Sequence, residues 1–484
     1  MRGAPVDGLG ADFLSLDVRC VPRGRITDEL VRRLRAAITA NRLAPGDALP
    51  PTRVLAGELG VSRGVVVEVY RRLADEGLVG ARTGSATRVL AGAVPAGPAP
   101  TGPPADPVFP AEPPRLPLRT TNVEFDLAPG APDLAAFPRA AWLRAERTVL
   151  RDATSADLGY GDPRGHLRLR AQLAGWLART RGMRVGADDV LVVAGVAQSL
   201  ALLAQSLHAR GATRIGVEDP GARGARETLA HWGLQLEPVP VDGHGACVDA
   251  LARSGVEAVL LTPAHQFPTG VVLAPQRRRE LLEWARAGNL VVEDDYDAEH
   301  RYDRAPVPAL HASAPEHVAC TGSTSKTLVP GARIGWLVAP HRLRADLVAA
   351  KHAADLGNPA LPQLVLAELI AAGDLERHVR RVRARQRTRR DALLAALHRH
   401  LPAARVEGVA AGLHLLVTLP HREPGSDVEI AVRAAEVGVL VHPLSWHRVR
   451  PGPPGLLLGY AATTPDGLRE AVRRIAPLVT AARP

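Results

Sequence analysis

Between Ile26 and Asn41 the apolar positions fall at 26, 30, 31, 34 and 38, a helical stripe interleaved with Arg32, Arg33 and Arg35, which predicts an amphipathic and basic first helix. Leu43 to Arg53 carries Pro45, Gly46, Pro50 and Pro51 and reads as a turn, from which Thr52 is placed to cap a short helix running to about Leu59. Gly60 stops that helix. A third helix is predicted from Val61-Ser62-Arg63, with Ser62 as its N-cap and Val65, Val66, Val69, Tyr70 and Leu73 on its inner face, ending at Glu76-Gly77. Two helices joined by a tight glycine turn make a helix-turn-helix, and the two strand-like runs between Leu78 and Leu90, around a glycine turn, predict a wing. The same pattern in isolation also fits a small helical packing unit.

Periodicity then disappears. From Ala91 to Pro117 ten prolines stand among alanines and glycines, a composition that favours polyproline II at about 3.1 Å per residue and predicts a linker. The chain therefore divides into a module at 20–90, a linker at 91–120 and a large remainder at 121–480. In that remainder short apolar runs alternate with helical stretches: Val190 to Val193, Arg214 to Val217, Ala258 to Leu261, Leu290 to Val292 and His317 to Cys320. Such alternation argues for an α/β fold with a mostly parallel sheet. Sheets of this kind bind ligands beyond the carboxyl ends of their strands, so the residues that follow each run are the candidates for chemistry.

Ala194-Gly195-Val196-Ala197-Gln198 follows the first run and leads into a helix whose free N–H groups would suit a phosphate. Alone this signal is weak, and a simple strand-to-helix turn explains it better. Thr262-Pro263-Ala264-His265-Gln266-Phe267-Pro268-Thr269-Gly270 follows the third run, and the acid cluster Glu293-Asp294-Asp295-Tyr296-Asp297 follows the fourth, where a solvated loop is the competing reading. The fifth run leads into Gly322-Ser323-Thr324-Ser325-Lys326, with Arg333 seven residues on. Lysine occurs only twice in the chain, at Lys326 and Lys351, against 60 basic side chains in all, and a guanidinium does not form an imine as a primary amine does. A lysine for an aldehyde, a carboxylate for a protonated pyridine nitrogen, and hydroxyls, arginine and helix N–H groups for a phosphate together point to pyridoxal phosphate. Lys351, with no such surroundings, reads as an ordinary surface residue.

Composition narrows the remaining choices. The 484 residues carry a formal net charge of +10, and residues 1–90 hold 14 arginines against 10 acids, a sign that suits DNA. Cys20, Cys247 and Cys320 are too scattered for a disulfide scaffold or a zinc site. No stretch approaches the roughly 20 apolar residues of a membrane span, and the first residues lack a signal-peptide core, so a cytoplasmic protein is expected.

The phrases Leu43-Ala44-Pro45-Gly46, Leu49-Pro50-Pro51-Thr52-Arg53-Val54-Leu55-Ala56, Leu59-Gly60-Val61-Ser62-Arg63 and Tyr70-x-x-Leu73-x-x-Glu76-Gly77 resemble, in order, the winged helix of GntR-family transcription regulators. Pro132-Asp133-x-x-x-x-Phe137-Pro138, Tyr160-Gly161-Asp162-Pro163-x-Gly165, the acid cluster and Glu376-Arg377-His378-x-Arg380-Arg381 look like the MocR subfamily, in which that module is fused to a fold-type-I aminotransferase-like domain. The resemblance implies that Arg53, Ser62 and Arg63 meet phosphates and base edges, with Gly84 letting the wing approach the minor groove. It implies that Lys326 carries the cofactor, Asp294 partners its pyridine nitrogen and Tyr296 donates to its ring hydroxyl. Ser323, Ser325, Arg333 and the amides of Val196 and Ala197 would hold the phosphate, with Tyr160 reaching it from the other subunit of a homodimer. A small subdomain at about 350–480, double-stranded DNA with two half-sites and a small-molecule effector, pyridoxal phosphate or an amino acid, are implied too.

The chain also departs from the pattern. Ala222 stands where an aromatic residue often covers the ring, and Phe267 stands where aminotransferases carry an asparagine, leaving His265 or Gln266 to substitute. Leu456-Leu457-Leu458 occupies the strand on which aminotransferases place the arginine that clamps an α-carboxylate, with Arg448 or Arg450 left to reach in. Sensing therefore fits better than catalysis; the alternatives are a working aminotransferase with a DNA-binding appendage and a relic without cofactor.

Overall fold

The computed structural model describes residues 21–80, 86–90, 123–297, 299–302, 307–408, 410–419 and 426–480, with Val18 and Glu423. The chain divides into two compact units, 1–114 and 115–484.

In the first unit α1 (Ile26–Thr39), α2 (Thr52–Leu59) and α3 (Arg63–Asp75) precede β1 (Val79–Gly80) and β2 (Arg88–Val89), which pair antiparallel. Leu30, Leu34, Ile38, Leu55, Val66, Val69 and Leu73 close one core, so the stripes read from the sequence are the faces that meet. Each fully buried leucine there contributes about 1.5–3 kcal/mol. Gly60 terminates α2 at φ 66°, a left-handed conformation that a side chain resists. The tip at 81–85, with Gly84, lies outside the described residues, as does the 91–120 linker. Thr52 is the first residue of α2 and Pro51 takes the cap position, because its fixed φ of −54° aims its carbonyl at Val54 and Leu55 N–H. Ser62 does sit at the N-cap of α3, with extended dihedrals, but its hydroxyl makes no capping bond.

The second unit runs β3 (Phe125–Asp126), α4 (Arg139–Asp152), α5 (Leu167–Arg181), β4 (Val190–Val193), α6 (Val196–Ala209), β5 (Arg214–Asp219), α7 (Arg223–His231), β6 (Gln235–Asp242), β7 (Gly245–Ala246), α8 (Val248–Ser254), β8 (Ala258–Leu261), α9 (Pro275–Arg286), β9 (Leu290–Asp294), β10 (Val318–Ser323) and β11 (Gly335–Val338). After these come α10 (His341–Asp355), α11 (Ala360–Ala371), α12 (Asp374–His400), β12 (Arg405–Glu407), β13 (His414–Thr418), α13 (Ser426–Glu436), β14 (Val439–Leu440), β15 (His442–Pro443), β16 (Gly455–Gly459) and α14 (Pro465–Thr480). Eight strands form one sheet in the order β4-β11-β10-β9-β8-β5-β6-β7, parallel except at β11 and β7. A second sheet, β12-β13-β16-β15, is antiparallel and packs with α12, α13 and α14.

Period two decides what each strand touches. Leu191 and Val193 face α6 and α10, while Val190 and Val192 face α5 and α11, so β4 is apolar throughout because both sides are covered. Two strands outrun their apolar cores: β9 extends through Asp294 and β10 through Ser323, and both carry polar groups on ordered backbone to the sheet's rim. Lys351 is not a surface residue. Its side chain is wholly covered in α10, its ammonium 2.8 and 3.0 Å from the two oxygens of Asp355, which stays at the surface one turn on and neutralises it there.

Candidate functional site

Sheet topology gathers the site. Strand β11 lies between β4 and β10 with opposite direction, and its register sets Gly335 beside Val193 on one side and Ser323 on the other. The end of β4, the start of β11 and the end of β10 thus share one rim. Glycine makes the crossing possible, because a Cβ at Gly335 would stand 2.7 Å from Gly322 O and 2.9 Å from Gly195 Cα. Gly195, at φ 95°, opens α6, whose first-turn amides at Val196 and Ala197 have no intrahelical acceptor. Arg333 turns back at φ 50° so that its guanidinium lies over Gly195, 3.6 Å from where a Cβ would be. Ser323 Oγ accepts from Ser325 N–H at 3.3 Å, folding the serine-lysine loop inward, and His378 of α12 holds that loop at Thr327 O with a 2.7 Å bond. Cationic guanidinium, free amides and hydroxyls around a glycine opening form a cradle for a phosphate dianion.

Lys326 Nζ donates to Gly130 O at 2.5 Å, and a Cβ at Gly130 would crowd it at 2.9 Å. Burial lowers the ammonium's pKa, opposed by the nearby Asp297 and Asp294 charges. Asp294 is the mirror case. Its carboxyl is raised to about 7 by burial and by the Asp297 and Glu218 charges, with Lys326 pulling it down, and its Oδ1 is buried without a hydrogen-bond partner among the described residues. A buried carboxylate oxygen with no donor is costly unless something supplies one. Beside it Glu218 is also raised to about 7 by burial, although Thr262 N–H and Oγ1 donate to it at 3.0 and 2.6 Å. Asp295 pairs instead with the buried Arg181, 2.5 Å away, so one acid of the cluster serves the fold and not the rim. Tyr296 and His265 meet at 3.0 Å, whereas Gln266 turns away to Pro220 O. Tyr160 alone stands apart, 96% exposed on the loop before α5.

The clamp position is apolar in space as well as in sequence. Leu457 is fully buried among Leu416, Leu444 and Phe267. Arg450 reaches toward Glu237, 4.0 Å away on β6, and Arg448 lies along Gly452, so neither takes the place of the absent arginine. Two buried histidines, His414 and His447, and the half-buried His442 ring this cluster; burial holds His414 near 4 and His447 near 3 and lowers His442.

In the first unit charge is sorted by function. Arg32 and Arg33 pair with Glu29, Arg35 with Glu76, Arg71 with Glu68 and Asp75, and Arg72 with Glu68 and Asp28. Arg53 and Arg63 are exposed and have no carboxylate partner among the described residues; Arg63 reaches only Thr52 Oγ1 at 3.4 Å. The arginines of α1 and of the later turns of α3 are thus ion-paired, whereas Arg53 and Arg63, at the starts of α2 and α3, are not.

Sequence spacing missed two arrangements here. Asp297 Oδ2 lies 2.8 Å from His265 Nδ1 although the two are 32 residues apart. Gln198, in the first turn of α6, donates to Asp355 at 2.6 Å and receives Ala194 N–H at 2.7 Å, tying the cradle to the Lys351 pair.

Residues 26–89 match the family model "Bacterial regulatory proteins, gntR family" and residues 124–475 match "Aminotransferase class I and II". The chain is 32% identical over 463 residues to the HTH-type pyridoxine biosynthesis transcriptional regulator PdxR of Corynebacterium glutamicum, covering 94% of this chain and 96% of that one. It is 32% identical over 459 residues to the probable rhizopine catabolism regulatory protein MocR of Rhizobium meliloti, covering 92% of each. Among solved structures, the Pyrococcus horikoshii kynurenine aminotransferase superposes with a TM-score of 0.68 at 27% identity, over 75% of this chain and 92% of that one. The α-aminoadipate aminotransferase LysN of Thermus thermophilus gives 0.66 at 29%, over 74% and 92%. Winged helix, aminotransferase fold and full-length similarity place this chain in the MocR subfamily of GntR-family transcription regulators, as a DNA-binding regulator with an aminotransferase-like domain.

Proposed function

We propose that the aminotransferase-like domain binds pyridoxal phosphate on Lys326 and that the cofactor's presence controls how a homodimer engages an operator of two half-sites. The observation that carries the reading is the Asp294 Oδ1 atom, buried without a hydrogen-bond partner among the described residues on the same rim as a partly buried primary amine and a phosphate cradle. A protonated pyridine nitrogen would supply the missing donor. When bound, the cofactor supplies an aldehyde for Lys326 and an electron-withdrawing ring. The chain's own groups supply the rest: Val196, Ala197, Ser323, Ser325 and Arg333 for the phosphate, Asp294 for the ring nitrogen, and Tyr296 with His265 for the ring hydroxyl. Tyr160, exposed beside Leu158 and Leu167 along one cleft, offers a surface suited to a second copy, from which it would reach the partner's phosphate.

Apolar packing at Leu457 favours the cofactor itself over an amino acid as effector, since a substrate carboxylate would meet no bidentate cation there. Control of vitamin B6 supply is a matching output, which is also what the name of the Corynebacterium relative states for that protein. Such a regulator works in the cytoplasm.

The test is an absorbance spectrum with and without added pyridoxal phosphate, followed by operator binding under both conditions. A cofactor band that Lys326→Ala abolishes, with operator affinity changing on cofactor addition in the wild type and not in the variant, is expected. Absence of a band at saturation overturns the reading, and sustained amino-acid turnover would favour the enzyme instead. Arg63→Ala should cost about 1–3 kcal/mol of operator binding. Equal affinity at moderate salt would remove Arg63 from the interface.

A further inference from the structure

The side chain of Asp297 points neither to solvent nor to the cradle. It is 3% exposed, and its Oδ2 accepts from His265 Nδ1 at 2.8 Å, while the same nitrogen lies 3.0 Å from the Tyr296 hydroxyl. One imidazole nitrogen carries at most one hydrogen, and a carboxylate is the stronger acceptor. With Nδ1–H committed to Asp297, the nitrogen has no lone pair for the Tyr296 hydroxyl, whose own proton is left for Asp297, with which it also makes a side-chain hydrogen bond, or for an acceptor bound on Lys326.

We infer that Asp297 and His265 are positioning residues that fix the direction in which the Tyr296 hydroxyl donates, and so set the protonation behaviour of whatever is bound on Lys326. This rests on the cofactor reading above. The backbone supports it independently. A Cβ at Gly412 would stand 2.7 Å from His265 Nδ1 and 2.9 Å from Asp297 Oδ2, and closer still to His265 Cε1, so the chain passes directly over the pair at φ 75°. Tyr302 and Tyr460 hold that segment by donating to Gly412 O at 2.6 and 2.5 Å, and Gly412 N–H donates to His300 O at 2.8 Å. Backbone in contact and two tyrosines locking it leave no room for a side chain over the pair.

The surrounding groups leave the pair as the adjustable element. Burial holds His300 and His414 near 4, so both are neutral at neutral pH. Burial raises the Tyr296 hydroxyl well above its ordinary value, followed by the charge of Asp297 and a hydrogen bond to it, then by Asp294 and Glu218, and Asp297 also lies close enough to Lys326 to act on it directly. A direct charge effect and an effect through Tyr296 must therefore be separated.

The experiment follows the absorbance band of the Lys326-bound cofactor against pH in the full-length chain. His265→Asn and Asp297→Asn should each displace its pH midpoint by about 1 unit or more, the usual effect of a charge partner within 4–6 Å, and Asp297→Asn should lower it because a neighbouring anion is lost. In the Tyr296→Phe background His265→Asn should give no further shift, and Asp297→Asn a smaller one. Unshifted midpoints, or full shifts in the Tyr296→Phe background, overturn the relay. If Asp297→Asn does not fold, His265→Asn decides by the same criteria. A wild-type chain without a band overturns the cofactor reading, whereas a wild-type band with unshifted variants overturns only the relay.

Discussion

At the scale of single residues, the replacement of the clamp arginine by leucine is a packing decision with consequences for engineering. Leu457 has no exposed surface and meets Leu416, Leu444 and Phe267, so Leu457→Arg would bury a cation with no carboxylate beside it. We expect a loss of about 3–5 kcal/mol, the cost of an uncompensated buried charge, read as a fall in Tm without gained transaminase activity. Glu218 gives a pH signature. The folded chain holds its proton up to about 7 whereas an ordinary glutamate releases it near 4.5, so its ionisation disfavours the folded state and its contribution to stability falls as pH rises through that window. Glu218→Gln, which keeps the shape, should flatten the decline of Tm between pH 5 and 7, and an unchanged slope would count against that burial. The lysine-for-imine argument singled out Lys326 from residue type alone, and that side chain lies on the sheet's rim, whereas Lys351, read as a surface residue, has no exposed surface. The signal was present in Asp355 four residues on, but a helical i,i+4 pair is far more often a surface feature than an interior one.

At the scale of elements, legibility followed burial. Val190–Val193 and Ala258–Leu261 were readable to the residue because both faces of those strands are covered, leaving unbroken apolar runs. The ends of β9 and β10 were not, because Glu293, Asp294, Gly322 and Ser323 continue the strand with residues that look like loop. Hydrogen bonding across the sheet, invisible to pattern, carries them. The His265–Asp297 contact has the same origin. Each residue lies four or fewer positions past the end of its strand, and β8 and β9 are adjacent and parallel, so proximity came from topology. Helix α6 illustrates how an element is tuned from below, since Gln198 and Asp355 connect its first turn to α10. Asp355→Asn weakens a charge-assisted bond to a buried ammonium and should cost about 1.5–3 kcal/mol of stability, with cofactor affinity falling more than in a surface control of equal stability loss. Affinity that tracks stability alone would make the connection purely structural.

At the scale of the whole molecule, ion pairing separates arginines that hold the first unit together from those that face outward. Arg53→Ala should reduce the slope of log affinity against log salt by about 1, the signature of one lost phosphate contact, whereas Arg72→Ala, which breaks pairs with Glu68 and Asp28, should mainly lower stability. Identical salt slopes for wild type and Arg53→Ala would contradict the first part. The burial of Lys351 has a further consequence for chemical selectivity. Aldehydes modify exposed lysines indiscriminately, and a receptor for one risks decoration across its surface. Here the chain has two lysine side chains, of which Lys351 has no exposed surface and is paired with Asp355, so an aldehyde in excess meets one partly exposed side-chain amine. Reduction with borohydride should mark one lysine peptide, and the dose response should saturate at one equivalent of modified lysine per chain, leaving the rest of the surface undecorated.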